Sequence, residues 1–178
     1  EQLLNEWQER MNMVGPATLS DIWARHFADS AQLTRVTPKG SAWLDMGAGG
    51  GFPGLVLAAM GWGRVILVES IAKKCRFLET VRDALALEQV SIVNARVEQL
   101  PTLGVDVATA RAAASLDKLF DWGIRHVRPG GQFVFPKGRR WAEEVDAART
   151  KFRFDLETFP SMTDPDARIL VARNLKRL

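Results

Sequence analysis

Apolar positions along the 178-residue chain follow two different periods. Near the start, Leu3, Leu4, Trp7, Met11 and Val14 recur at helical spacing until Gly15-Pro16 interrupts them. A second helical pattern runs through Ile22, Trp23, His26, Phe27, Ser30 and Leu33, with Thr18 and Asp21 ahead of it at capping-box spacing. After Pro38-Lys39-Gly40 the texture changes. Short runs rich in branched and aromatic residues predict strands at 41–46, 64–69, 90–94, 105–110 and 131–136. Helical stretches are predicted at Gly54–Met60, Ile71–Leu85 and Leu116–Arg125.

Strands alternating with helices build βαβ units, and hence a parallel sheet covered on both faces. The last part departs from that rule. "FRFDLETFP" and "ARILVARNL" read as strands joined only by the turn-like "SMTDPD", and so short a link joins antiparallel neighbours. The expected architecture is α/β: a mostly parallel, seven-stranded, Rossmann-like sheet with an antiparallel C-terminal hairpin and an N-terminal helical extension. Residues 1–178 then form one domain, with helices in 1–38 packed on a core in 39–178.

Composition narrows the function classes. No apolar run approaches the roughly 18 residues that span a bilayer, so no membrane association is expected. The lone Cys75 cannot form an intramolecular disulfide and suits a reducing cytoplasm; with only two histidines, no Cys/His zinc site is expected. Glu1 is not an initiating methionine and no signal pattern follows it, so a few natural N-terminal residues are expected to precede it. The net charge of +3 is small, but 17 arginines stand against 7 lysines. Guanidinium groups grip phosphate through paired bonds and stack on bases, so the charge permits a nucleic-acid partner.

The densest candidate chemistry lies in "WLDMGAGGGFPG", Trp43 to Gly54. In an open α/β sheet, ligands lie beyond the carboxyl ends of the strands where strand order reverses, and this loop follows the first strand. Glycines there allow positive φ and leave no Cβ between backbone and ligand. Two registers compete. Gly49-x-Gly51-x-x-Gly54, with Glu69 about 20 residues on, matches a dinucleotide fingerprint. Asp45-x-Gly47-x-Gly49-x-Gly51 fits a different ligand. A strand-end aspartate is a poor neighbour for pyrophosphate but a good one for the ammonium of S-adenosylmethionine, worth about 1.5–3 kcal/mol as one charge-assisted hydrogen bond.

Other candidates surround this loop. Glu69 is placed either to hold ribose hydroxyls or to cap the helix starting near Ile71. Arg96, Val97 and Glu98 follow the third strand, where an adenine ring would lie. Arg111 follows the fourth and either faces the same crevice or pairs with a structural carboxylate. Lys137 ends the fifth, within reach of a base or phosphate, or is simply solvated. Arg25–Asp29 and His26–Ser30 have i,i+4 spacing; they close the site or touch RNA, or they form a helix-surface ion pair beside a half-buried histidine. Lys73, Lys74, Arg139, Arg140, Arg173, Lys176 and Arg177 are further candidates for phosphate, and Trp141 for stacking on a base. Cys75 reads as core.

With "NEWQERMNMVG", "RHFADS", "LDMGAGGGFPG", "KKCRFL", "NARVEQL", "TARAAASL" and "FPKG" in order, nearly the whole chain resembles the bacterial small-ribosomal-subunit methyltransferase G family, also called glucose-inhibited division protein B. The resemblance implies a class I S-adenosylmethionine-dependent methyltransferase fold. It also implies methyl transfer to N7 of a guanine in 16S ribosomal RNA, leaving S-adenosylhomocysteine, with the small ribosomal subunit as partner. By motif it carries cofactor contacts to Gly47, Phe52, Val97, Glu98 and Arg111. Gly50 stands where proline is common in the family, "TARA" where "SRA" is usual, and tyrosine is absent. Guanine N7 has an in-plane lone pair and no proton, so no catalytic base is expected, and Lys137 and Arg111 are candidates for positioning the base. A monomer is the default expectation. The residues alone leave two rivals open: a nicotinamide-dinucleotide oxidoreductase and a non-catalytic nucleotide- or RNA-binding module.

Overall fold

The computed structural model describes residues 1–178 and joins seven strands in one sheet. They are β1 (Ser41–Met46), β2 (Gly63–Glu69), β3 (Val90–Asn94), β4 (Val105–Thr109), β5 (Val127–Lys137), β6 (Phe152–Pro160) and β7 (Arg168–Arg177). Their spatial order is β3-β2-β1-β4-β5-β7-β6. The first five are parallel, while β7 runs antiparallel to both β5 and β6. Chain order reverses between β1 and β4, so a crevice opens at their carboxyl ends.

Side-chain alternation along β1 serves two layers at once. Trp43 faces one layer with Leu55, Leu57, Phe77 and Leu78. Leu44 and Met46 face the other with Leu116, Phe120, Phe133 and Phe135. Phe120 centres that second layer, its ring 4.9 Å from Phe154, 5.5 Å from Phe133 and 5.6 Å from Phe152. Burial on both faces explains why the central strands read as nearly continuous apolar runs.

Six α-helical segments accompany the sheet: α1 (Gln2–Gln8), α2 (Asp29–Ala31), α3 (Gly54–Ala59), α4 (Ala72–Ala84), α5 (Leu116–Gly123) and α6 (Trp141–Arg149). The N-terminal part departs from the predicted pair of regular helices. α1 stops at Gln8 because that side chain turns the chain back: its Oε1 accepts the N–H groups of Met13 and Val14, and its Nε2 donates to the Val14 carbonyl. Thr18 caps no helix; its hydroxyl donates to the Gly15 carbonyl. Residues 16–35 form an irregular helical run, with 3-10 turns at Pro16–Asp21 and Gln32–Arg35 flanking a π-helical stretch, Trp23–Ala28, and α2. Single π turns are often found at functional sites. No helix is long and apolar enough to cross a membrane.

Candidate functional site

The loop after β1 is pinned from below. Gly47 and Ala48 both donate to the Val68 carbonyl at 2.9 and 3.0 Å. Gly49 N–H reaches Glu69 Oε2 at 2.9 Å, and Gly54 N–H reaches Asp45 Oδ2 at 2.9 Å. Two glycines are required by space, and Gly51 by conformation as well. At Gly51, φ is +86° and a Cβ would meet Leu55 Cδ1 at 2.3 Å; at Gly54 it would meet Leu67 Cδ2 at 2.3 Å and Asp45 Oδ2 at 2.7 Å.

Both strand-end acids look inward. Asp45 is 0% exposed, and its Oδ1 has no hydrogen-bond partner. Burial, only partly offset by the Gly54 N–H, pushes its carboxyl up to about 7. Bare Gly54 lets Oδ2 fold onto the loop's own backbone and leaves Oδ1 without a partner. Glu69 is 6% exposed and joins the loop to the start of α4: Oε2 takes Gly49, while Oε1 takes the N–H of Ile71, the residue preceding that helix, at 2.8 Å. Glu69 is thus a buried brace at the residue before α4 and not a surface cap on the helix's own first-turn N–H groups, and each oxygen keeps a second lone pair. Cys75 is buried, its thiol directed at the Glu69 carbonyl.

Val97 and Glu98 occupy a 3-10 turn, Val97–Gln99, beyond β3. The Val97 side chain belongs to the second core layer, and its carbonyl accepts from Nε2 of the wholly buried His126 at 3.2 Å. Glu98 is exposed.

Beyond β4, Arg111 organises the N-terminal segment against the glycine loop. Its guanidinium donates to the Arg25 carbonyl at 2.8 Å and to His26 Nδ1, approaches Asp29 Oδ2 at 3.5 Å, and lies 5.0 Å from the Phe52 ring centroid. Thr18 spends its proton on Gly15, so its oxygen accepts from His26 Nε2–H at 2.6 Å and Nδ1 is left as the lone pair facing Arg111. Burial, then the charges of Arg111 and Arg25, lowers His26 to about 4. The histidine is therefore a buried neutral link, 6% exposed, which fits the expected role in closing the site better than a contact with RNA. The expected i,i+4 pairs dissolve. Asp29 turns to Arg111, Gln32 and Thr163 instead of Arg25, and Ser30 bonds the His26 backbone carbonyl.

A cleft of about 650 Å³ opens next to this network, lined on one side by Arg25, Asp29 and Arg111 and on the other by Lys137, Arg140 and Arg168. Thr163 in the β6–β7 turn donates to Asp29 at 2.8 Å, and Gln32 Oε1 accepts the Met162 N–H at 2.8 Å, so the N-terminal run and the C-terminal hairpin are tied across it. Lys137 is not free: its ammonium donates to the Ala114 carbonyl at 2.8 Å and to Glu144 at 2.7 Å. Arg139, Arg140 and Arg173 pair with Asp166, Glu143 and Glu157, and Lys73 is exposed. Such exposed pairs contribute little, so these arginines can exchange a carboxylate for a phosphate. Trp141 is half-buried beneath Arg168, 6.0 Å from the ring centroid, and is no open stacking platform. Gln32, Thr163 and Glu144 carried no sequence signal, since each works through a partner remote in sequence.

The sheet order, with two acids at adjacent strand ends gripping a glycine loop, defines a class: the Rossmann-like S-adenosylmethionine-dependent methyltransferases. The solved structure of a SAM-dependent methyltransferase from Aquifex aeolicus shares the fold, with a TM-score of 0.66 at 14% identity over 89% of this chain and 92% of that one. A family model described as "GidB: rRNA small subunit methyltransferase G" matches residues 1–170. A ribosomal RNA small subunit methyltransferase G of Paramagnetospirillum magneticum is 44% identical over 98% of this chain and 85% of its own length. Its Caulobacter vibrioides counterpart is 45% identical over 100% of this chain and 83% of its own. The chain belongs to the rRNA small subunit methyltransferase G family, and that assignment displaces both the oxidoreductase and the non-catalytic readings of the loop.

Proposed function

We propose that this methyltransferase acts on N7 of a guanine in 16S ribosomal RNA, as a cytoplasmic monomer working on the small ribosomal subunit or its RNA. S-adenosylmethionine fits the residues present: the buried, unpartnered Asp45 Oδ1 favours a nearby cation, and the bare loop backbone admits a ligand. Asp45, Gly47, Gly49, Gly51 and Phe52 would hold its amino-acid end, Glu69 its ribose through the spare lone pairs, and the Val97–Glu98 turn its adenine. Arg111 would keep Phe52 and the N-terminal run in place. When bound, the cofactor supplies a methyl carbon on a positively charged sulfur, which a ring nitrogen bearing a lone pair and no proton accepts without a base. The chain's task is then to align the base and keep water out.

One adjacency carries this reading. Ala113, in the loop after β4, lies 3.2 Å from where a Gly47 Cβ would stand, and residues of that same loop line the cationic cleft. Cofactor loop and acceptor cleft share a wall. Lys137 has one ammonium proton left for guanine O6 or a phosphate once Ala114 and Glu144 are served. A base held in structured RNA has to be extruded to enter. Purified protein given radiolabelled S-adenosylmethionine should methylate 16S RNA, and nuclease digestion should yield 7-methylguanosine. Label in another nucleoside, or none from small subunits lacking the modification, would overturn the reading.

A further inference from the structure

A second groove, of about 720 Å³, lies along the sheet where the end of the N-terminal run meets the starts of β1, β4 and β5. Four cations line it, Arg35, Lys39, Arg128 and Arg173, against one carboxylate, Asp106. That carboxylate is already engaged, by the Ala42 N–H at 2.6 Å and by Arg128. Arg35 and Lys39 are exposed and matched to no acid, and exposed Arg64 lies close enough to act on Asp106. Gly40, Gly130 and Gly131 are among the residues between the cations. A Cβ built at Gly40 meets nothing within 4 Å. With Arg128 paired to Asp106 and Arg173 to Glu157, Arg35 and Lys39 are the groove's unmatched cations, and this excess of positive charge suits a chain of phosphates better than an apolar protein surface.

Position strengthens the case. Gln32 lines the acceptor cleft and Arg35 the groove, three residues apart on one 3-10 turn, hence separated by about 6 Å. On the facing wall, Ser161 lines the cleft and Phe159 the groove, about 7 Å apart along extended chain. Gln32 and Asp29 are tied to the β6–β7 turn beside this junction. We propose that this groove binds the phosphate backbone of the RNA strand leaving the acceptor cleft, so that RNA crosses the seam between the N-terminal helices and the C-terminal hairpin. The proposal rests on the RNA reading above and adds to it where the strand goes.

The test is an Arg35→Ala/Lys39→Ala double variant of the full chain, compared with wild type for binding to naked 16S RNA across a salt series. The variant should bind about tenfold more weakly near 0.1 M salt, with the log–log salt slope shallower by about 1 to 2. S-adenosylmethionine affinity and melting temperature should match wild type. In the wild-type protein, Lys39 should be protected from acetylation by RNA. Unchanged RNA affinity and slope, with Lys39 unprotected, would overturn the groove while leaving the RNA reading intact. A defect seen only on assembled subunits would assign the groove to a protein partner and overturn it equally. Wild-type protein that binds no 16S RNA at all would sink both.

Discussion

Arg111 donates a hydrogen bond to Nδ1 of His26 across 85 residues of sequence, and that bond requires the histidine to be neutral. Burial and the two flanking arginines hold it to about 4 in the fold, against 6.5 when free. Between those values the unfolded chain takes up a proton that the folded chain refuses. The corresponding stability is complete above pH 6.5 and is lost as pH falls toward 4. Thermal melts from pH 7.5 to 4.5 should fall less steeply for His26→Gln than for wild type.

Asp45 carries the opposite sign. Its folded value of about 7 lies above the free value of 3.8, so the fold holds a proton that the unfolded chain has shed, and Asp45 reduces stability as pH rises through that window. A cation near the loop favours the ionised form. S-adenosylmethionine affinity should therefore climb by about tenfold between pH 6 and 8, with proton release on binding at pH 6. Calorimetry in buffers of different ionisation enthalpy reads both, and Asp45→Asn should flatten the profile while weakening binding at pH 8.

Gly54→Ala tests whether the acid's hold on the loop needs a bare backbone. The added methyl would meet Leu67 at 2.3 Å and Asp45 at 2.7 Å, both buried, and should cost about 1–3 kcal/mol in denaturant unfolding. Gly138→Ala, whose Cβ would meet nothing within 4 Å, should stay within about 0.5 kcal/mol of wild type.

The tie across the cleft is a pairwise interaction and can be measured as one. In a cycle of Asp29→Ala and Thr163→Val, unfolding free energies should show a coupling of about 1 kcal/mol. Thr163→Val should raise the KM for RNA more than that for S-adenosylmethionine, because Thr163 touches the acceptor side alone, whereas Asp29 also approaches Arg111. Additive effects on both measures would mean that the two walls do not act together.

Much of the fold was legible because it depends on local texture. Branched runs with glycine and proline punctuation located all seven strands to within a few residues, β5 excepted at its start, and the short link before β7 dictated its reversal. α6 escaped, since its buried face amounts to Val145 and Ala148 in an otherwise charged stretch. The N-terminal helices were misjudged where a side chain, Gln8, outcompeted helical continuation for two backbone N–H groups.

By itself the sequence determined the sheet, the glycine loop and the identity of the acids at its base, because each follows from residue type and spacing over a few positions. Only the tertiary structure decided what those acids face, that His26 is sealed against Arg111, and that Lys137 is claimed by Glu144. Such choices depend on which hydrogen-bond partner comes nearest in space once water is excluded, and chain order does not encode that distance.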